Sequence, residues 1–183
     1  MNVIDIFKYF ASFPLKSAVD KIFSNGKSTI TGYAELRTEI SNLAVHSRIA
    51  DIKGFVFGSD EDFINLQVSK MNDTFLFLEY GELNSSKDNK NSISNSWPIA
   101  VSILKKLDNE RDPVEFALNS NSTLSIIRAM LIAMTEDQST FSWLKYLSDN
   151  YEIVPLNHKK WSAYGWTLLF KMEGADLLNV KNF

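Results

Sequence analysis

The clearest candidates for metal-ligating or catalytic residues form a short acidic run, Asp60, Glu61 and Asp62. Carboxylates that are close in sequence can converge on a hard cation such as Ca²⁺. The run lacks the alternating oxygen spacing of a calcium-binding loop, and it is more typical of a solvated turn or of the first turn of a helix. We therefore predict no metal site in this sequence.

The usual catalytic patterns are missing. The two histidines, His46 and His158, lie far apart without zinc-ligand spacing, and neither HExxH nor GxSxG occurs. Cysteine is absent, which excludes thiolate chemistry, and there is no glycine-rich phosphate-binding loop. We predict that the protein is not an enzyme and uses no cofactor. Glycoside hydrolysis stays open as an alternative, because it needs only two carboxylates and no fixed spacing marks them.

Nucleic acid and membranes are poor candidates as binding partners. The formal net charge is −3, so the chain lacks the basic field that attracts phosphates. The closest approach to a basic and aromatic surface is Lys159, Lys160, Trp161 and Tyr164, which is more typical of a solvated turn beside core aromatics. No stretch reaches the roughly 18 apolar residues needed to span a bilayer, and the N-terminus lacks the layout of a signal peptide. We expect a soluble intracellular protein.

Length and composition predict a chain with a substantial aromatic core. Of its 183 residues, 45% are hydrophobic, 13% are aromatic and 22% are charged. This balance excludes disorder and provides enough apolar surface for a core. We predict an N-terminal helical arm over residues 1–30 and a single α+β domain over residues 31–183.

The arm is predicted from two runs of apolar residues at helical spacing, the first ending at Pro14 and the second at Asn25. These apolar residues are Val3, Ile6, Phe7, Phe10, Phe13, Leu15, Val19, Ile22 and Phe23. Two interpretations stay open: the helices pack on their own domain, or they expose phenylalanines that dock onto a partner. In the second case Phe7 and Phe10 are the contact residues.

The rest of the chain predicts helices around a mostly antiparallel sheet. Alternating bulky residues indicate strands at 52–57, 74–80, 97–104, 151–156 and 161–172. Helical periodicity begins at Thr31 and again at Ser122, and the second helix has apolar residues on more than one side, so we expect it to be covered on more than one side. Because no regular βαβ alternation is seen, we predict an α+β fold of four to five strands, with helices packed on one face of the sheet.

Residues 81–96 are the one low-complexity stretch, rich in serine and asparagine and almost without apolar residues. Such a composition does not supply the apolar surface that packing requires. We predict a long polar loop that joins two strands of an extended hairpin and becomes ordered against a partner. Lys87, Asp88 and Lys90 are its expected contact residues.

Three segments of the chain, taken in order, carry a resemblance to a known family. In HSRIADIKGFVFGSDEDFINL, from His46 to Leu66, a helix leads into an aromatic strand that ends at a glycine and an acidic turn. The strand FLFLEYGEL follows, and the closing hairpin NYEIVPLNHKKWSAYGWTLLFKME contains a Gly-Trp step. Over residues 33–173 this series resembles the tail terminator or tail-completion proteins of tailed bacteriophages, particularly those that infect Bacteroidetes.

The resemblance implies a virion structural protein. Such subunits form a ring, usually a hexamer, that caps the head-proximal end of the tail and joins it to the head connector. The implied partners are other copies of the chain, the tail tube protein and the connector proteins, with genomic DNA only as cargo in the channel. The protein would be assembled in the host cytoplasm and reside in the virion neck. The alternative is a small accessory or inhibitor protein that binds one partner through its N-terminal phenylalanine-rich helices.

Overall fold

The computed structural model describes residues 2–23, 28–58, 60–87, 93–109, 111–141, 143–144 and 147–174. The helices in these ranges are α1 (Val3–Ala11), α2 (Lys16–Ile22), α3 (Tyr33–Leu43), α4 (Glu61–Val68) and α5 (Pro113–Glu136). The strands are β1 (Gly54–Phe57), β2 (Phe75–Tyr80), β3 (Asn84–Lys87), β4 (Ile93–Lys106), β5 (Leu147–His158) and β6 (Ala163–Gly174). Short 3₁₀ turns are found at Ala44–His46, Asp137–Ser139 and Lys159–Trp161.

The strands form one open sheet in the order β1-β2-β4-β6-β5, and β3 pairs with the first part of β4. β1 and β2 are parallel, whereas the other pairs are antiparallel. The predicted α+β class and the mostly antiparallel sheet are therefore confirmed. The described sheet has six strands, not the four to five predicted, because the polar segment before β4 contributes the additional strand β3.

The parallel pair exists because α4 connects β1 to β2, which makes a βαβ unit that the sequence did not predict. α4 has only eight residues and begins in the acidic run. The Asp60 carboxylate accepts a hydrogen bond from the backbone N–H of Phe63 at 2.8 Å, which caps the helix. The acidic run is thus a helix start, one of the two interpretations offered for it.

Helices cover both faces of the sheet, so the prediction of helices on one face is wrong. Side chains alternate along a strand. In β2, Leu76 and Leu78 join the main core with α1, α2 and α5, whereas Phe75 and Phe77 point the other way and join a second core with α4. A strand with bulky apolar side chains on both sides needs cover on both sides.

The two N-terminal helices belong to the main core and are not a separate arm. Asn2 and Asp5 form a reciprocal capping box at the start of α1. Phe10 and Phe13 are fully buried, in the same core cluster as Leu78 of the sheet. The interpretation in which these helices pack on their own domain is the one that the structure shows.

The fifth helix begins nine residues before the predicted start at Ser122, because Asp112 caps it and Pro113 occupies its first turn. The Asp112 side chain accepts hydrogen bonds from the backbone N–H groups of Val114 and Glu115. The first turns present few apolar residues to the core, so periodicity alone does not reveal them. The full helix has 24 residues and lies across β4 and β6.

Candidate assembly surface

The inward side of α5 packs on the sheet. Its buried residues recur at helical spacing and face the main core: Asn119, Thr123, Ile126, Ile127, Met130 and Met134. This packing fixes which residues of the helix point away from the sheet. The opposite side of α5 consequently points away from the sheet in the described part of the chain.

The outward side of α5 is unusually apolar for an exposed helix. Val114, Leu118 and Ile132 are each at least 60% exposed. At helical spacing between Leu118 and Ile132 lie three smaller exposed residues: Asn121, Ser125 and Ala129. We call these six residues the α5 outer face.

Charge is nearly absent from this surface. Between Glu115 and Glu136 the sequence contains one charged residue, Arg128. Exposed faces of helices are normally rich in charged and polar residues, and neighbouring exposed aliphatic side chains such as Val114 and Leu118 are typical of a surface that contacts a partner. The expectation that this helix is covered on more than one side is not met within the described residues, because the α5 outer face is exposed.

A second exposed apolar pair lies on the opposite side of the sheet, on α4. Phe63 and Leu66 are more than half exposed, and the exposed Asp62 lies beside them. We call these three residues the α4 outer face. Ile64 and Val68, on the other side of the same helix, are buried in the second core.

The contact residues expected from the sequence lie elsewhere. Phe7 and Phe10 are buried in the main core, so neither side chain is accessible to a partner. Lys87 is the last residue of β3, and its backbone pairs with Ile93. The expected unpacked loop is therefore partly a hairpin. Asp88 and Lys90 lie outside the described residues, and a contact role for the tip of this hairpin stays a prediction.

Sequence reasoning missed the α5 outer face as a site, although it contained a signal. That signal is the lack of charge over most of a 24-residue helix, combined with apolar residues at helical spacing opposite the core side. Apolar residues near the chain start drew attention to Phe7 and Phe10 instead.

A polar cluster joins α1 to the end of α5. The Tyr9 hydroxyl donates a hydrogen bond to Asp137 Oδ2 at 2.8 Å, and Arg48 forms an ion pair with the same carboxylate. The Arg48 guanidinium also lies over the Phe13 ring, 4.8 Å from its centroid. Burial, together with the hydrogen bond to Asp137, raises the pKa of Tyr9 far above its usual range, so this phenol stays protonated.

A cavity of about 490 Å³ lies beside this cluster, with Tyr9, Phe141 and Trp143 among its walls. Two basic residues line the cavity, and each forms an ion pair: Lys8 contacts Glu39 at 2.7 Å, and Arg48 contacts Asp137. In the part of the chain that the structure describes, no three histidine, aspartate or glutamate side chains come together to hold a metal ion.

Asp137→Ala is expected to destabilise the protein by about 2 kcal/mol, because it leaves a buried phenol and a half-buried guanidinium without their shared acceptor. Glu136→Ala, at the preceding and exposed position, is the matched control and is expected to change stability by less than about 0.5 kcal/mol. Urea unfolding of both variants measures the difference. Equal stabilities would show that the cluster does not hold α1 in place.

Comparison with known proteins identifies no relative of this chain. The sequence matches no model of a protein family, and no curated protein matches it at a significant level. None of the helices in the described ranges is long and apolar enough to cross a membrane. The case for a function therefore rests on the chain's own surfaces and on the resemblance seen in its sequence.

Proposed function

We propose that this protein is a virion structural protein, a tail terminator or neck subunit that caps the head-proximal end of a phage tail as a ring and joins the tail to the head connector. The observation that carries the proposal is the α5 outer face, an exposed surface with three large aliphatic side chains and one neighbouring charge, Arg128, on the longest helix of the described fold. Such a surface serves protein contact and has no evident use in catalysis.

The magnitude of this contact favours a closed assembly. Burying the exposed parts of Val114, Leu118 and Ile132 is worth about 1 to 2 kcal/mol each. An isolated pair of subunits must first overcome an association cost of at least about 4 kcal/mol. The free energy of one such contact is therefore marginal for a pair of subunits. In a closed ring every subunit makes two contacts, and no contact surface is left without a partner.

The sheet edges favour assembly through helix faces over pairing of strands. β5 is an edge strand of 12 residues, and it contains Pro155. Proline removes a backbone donor, and it is one of the devices that prevent edge strands from pairing with another chain. The opposite edge, β1, has only four residues. We therefore place the contacts between copies on the helices.

In this role the partners are other copies of the chain, most simply six in a ring, together with the tail tube protein and the head-tail connector proteins. Genomic DNA passes through the channel as cargo, and the protein resides in the virion neck after assembly in the host cytoplasm. The polar hairpin of β3 and β4 provides an extension suited to contact with a neighbouring ring. The accessory-protein alternative relied on exposed Phe7 and Phe10, and their burial leaves it without a supporting observation.

Light scattering of the purified chain, with negative-stain images of the same fraction, tests the proposal. We expect a particle of about 125 kDa, equivalent to six chains of 20.8 kDa, with a central hole. A mass of one chain at millimolar concentration, with no rings on the grids, would contradict it.

A further inference from the structure

We infer that the α5 outer face of one copy docks on the α4 outer face of the next copy, with Arg128 of the first facing Asp62 of the second. This inference rests on the proposed ring. It names the second surface that each copy contributes, which the ring proposal by itself leaves open. The argument uses the position, charge and shape of the two surfaces.

The two surfaces lie on opposite faces of the sheet. α5 covers the face that carries Leu76 and Leu78, and α4 covers the face that carries Phe75 and Phe77. Contact between two unlike surfaces on opposite sides of a subunit is heterologous, and each copy then uses one surface toward each neighbour. Heterologous contacts generate rings when the rotation between copies closes.

The two surfaces are complementary in charge. Arg128 is the lone charge over the middle of α5, and the first turn of α4 carries Asp62 next to the capping Asp60. Both Arg128 and Asp62 are exposed, and neither has an ion-pair partner among the described residues. Pairing between copies would therefore satisfy two charges that the single chain leaves solvated.

The two surfaces also match in shape. Leu118 and Ile132 are separated by about 21 Å along α5, whereas the whole of α4 is about 12 Å long. Between Leu118 and Ile132, Ser125 and Ala129 are small exposed side chains beside Arg128, and they line a groove together with Asp51 and Lys105. Phe63 and Leu66 are bulky and project from α4, so the shorter helix fits between the two aliphatic ends.

Pairing of two α5 outer faces is the competing arrangement. Arg128 is exposed one helical turn from Ser125 and Ile132 of the α5 outer face, so a two-fold axis there would bring two arginines close together without an acidic partner. Like charges at an interface are unfavourable, and they select against this arrangement. The heterologous contact removes the repulsion and replaces it with an attraction.

A charge exchange tests the inference. We expect Arg128→Glu and Asp62→Arg each to weaken assembly by roughly tenfold or more in the concentration at which the full particle forms. The double variant R128E/D62R is expected to recover most of the loss, because the pair is restored with its charges reversed. The readout is the light-scattering mass over a dilution series, with thermal unfolding as a check on the fold.

Matched controls separate this inference from the ring proposal. Arg111→Glu and Glu152→Arg make the same charge changes at exposed positions outside both surfaces, and they are expected to assemble as the unchanged protein does. A ring that persists in both single variants, a double variant that does not recover, or a dimer of two chains would overturn the inference. The first two of these results would leave the ring proposal intact, whereas an unchanged protein that never assembles would contradict the ring itself.

Discussion

Gly165→Ala is expected to cost about 4 kcal/mol or more, and so to remove much of the stability of the fold. Gly165 lies in β6, opposite Leu104 of β4 and Leu156 of β5. A Cβ atom there would overlap the backbone carbonyl oxygen of Ile103 and would lie 3.1 Å from the Cα atom of Leu104. Because both are backbone atoms of a central strand, they can move only by breaking the ladder between β4 and β6.

Gly81→Ala is the control for this prediction. A Cβ atom at residue 81 would contact Cγ of the Pro98 ring at 2.7 Å, and a proline ring at the sheet surface can adjust more easily than a backbone carbonyl. We expect a loss of about 1 kcal/mol for Gly81→Ala by urea unfolding. Equal stability of the two variants would contradict the claim that β4 and β6 approach each other too closely at Gly165 to accommodate a Cβ atom.

Phe10→Ala is expected to destabilise the protein by about 3 to 5 kcal/mol, the usual cost of truncating a buried phenylalanine. The Phe10 side chain is fully buried, with ring centroids 5.2 Å from Tyr9 and 6.0 Å from Phe13. The cavity left by the ring could not collapse without shifting α1 relative to the sheet and the other core residues. Denaturant unfolding monitored by tryptophan fluorescence gives the free energy directly.

Ile4→Ala, on the outward side of the same helix, is the matched control. Ile4 is 44% exposed, so its truncation is expected to cost less than about 1 kcal/mol. Equal effects of the two variants would mean that the N-terminal helices detach from the domain. The accessory-protein interpretation would then regain its basis.

The elements that the sequence predicted best are those whose faces differ strongly. In β6 the residues Leu168, Phe170 and Met172 alternate with Thr167 and Lys171, and the strand lies where the alternation placed it. Period-2 alternation identifies such a strand with little help from tertiary structure. The strand at 97–104 was located for the same reason, whereas the strand at 74–80 was recognised from its run of bulky β-forming residues, which are buried on both faces.

The elements that the sequence missed are defined by caps and partners. α4 depends on a cap at Asp60, and the first turns of α5 depend on a cap at Asp112. β3 contains mostly polar residues, and it exists because β4 provides a partner ladder. Hydrogen bonds of these kinds leave only a weak trace in the apolar pattern.

The α5 outer face could be predicted only in part from the sequence. Periodicity shows that a helix has apolar sides, but it does not show which side the rest of the chain covers. Phe7 and Leu118 look equally suited to a contact in the sequence, yet the first is buried and the second is about two-thirds exposed. Only the packing of α1 and α5 on the same face of the sheet distinguishes them.

The claim that copies of this chain assemble through the α5 outer face is tested most directly by comparing the light-scattering mass of the unchanged protein with that of Leu118→Asp at matched concentration. We expect a ring of about 125 kDa for the unchanged protein and a single chain of 20.8 kDa for the variant. The variant's free energy of unfolding should stay within about 1 kcal/mol of the unchanged value, since the substituted side chain is exposed. A full ring in Leu118→Asp, or a single chain in both proteins, would contradict the account.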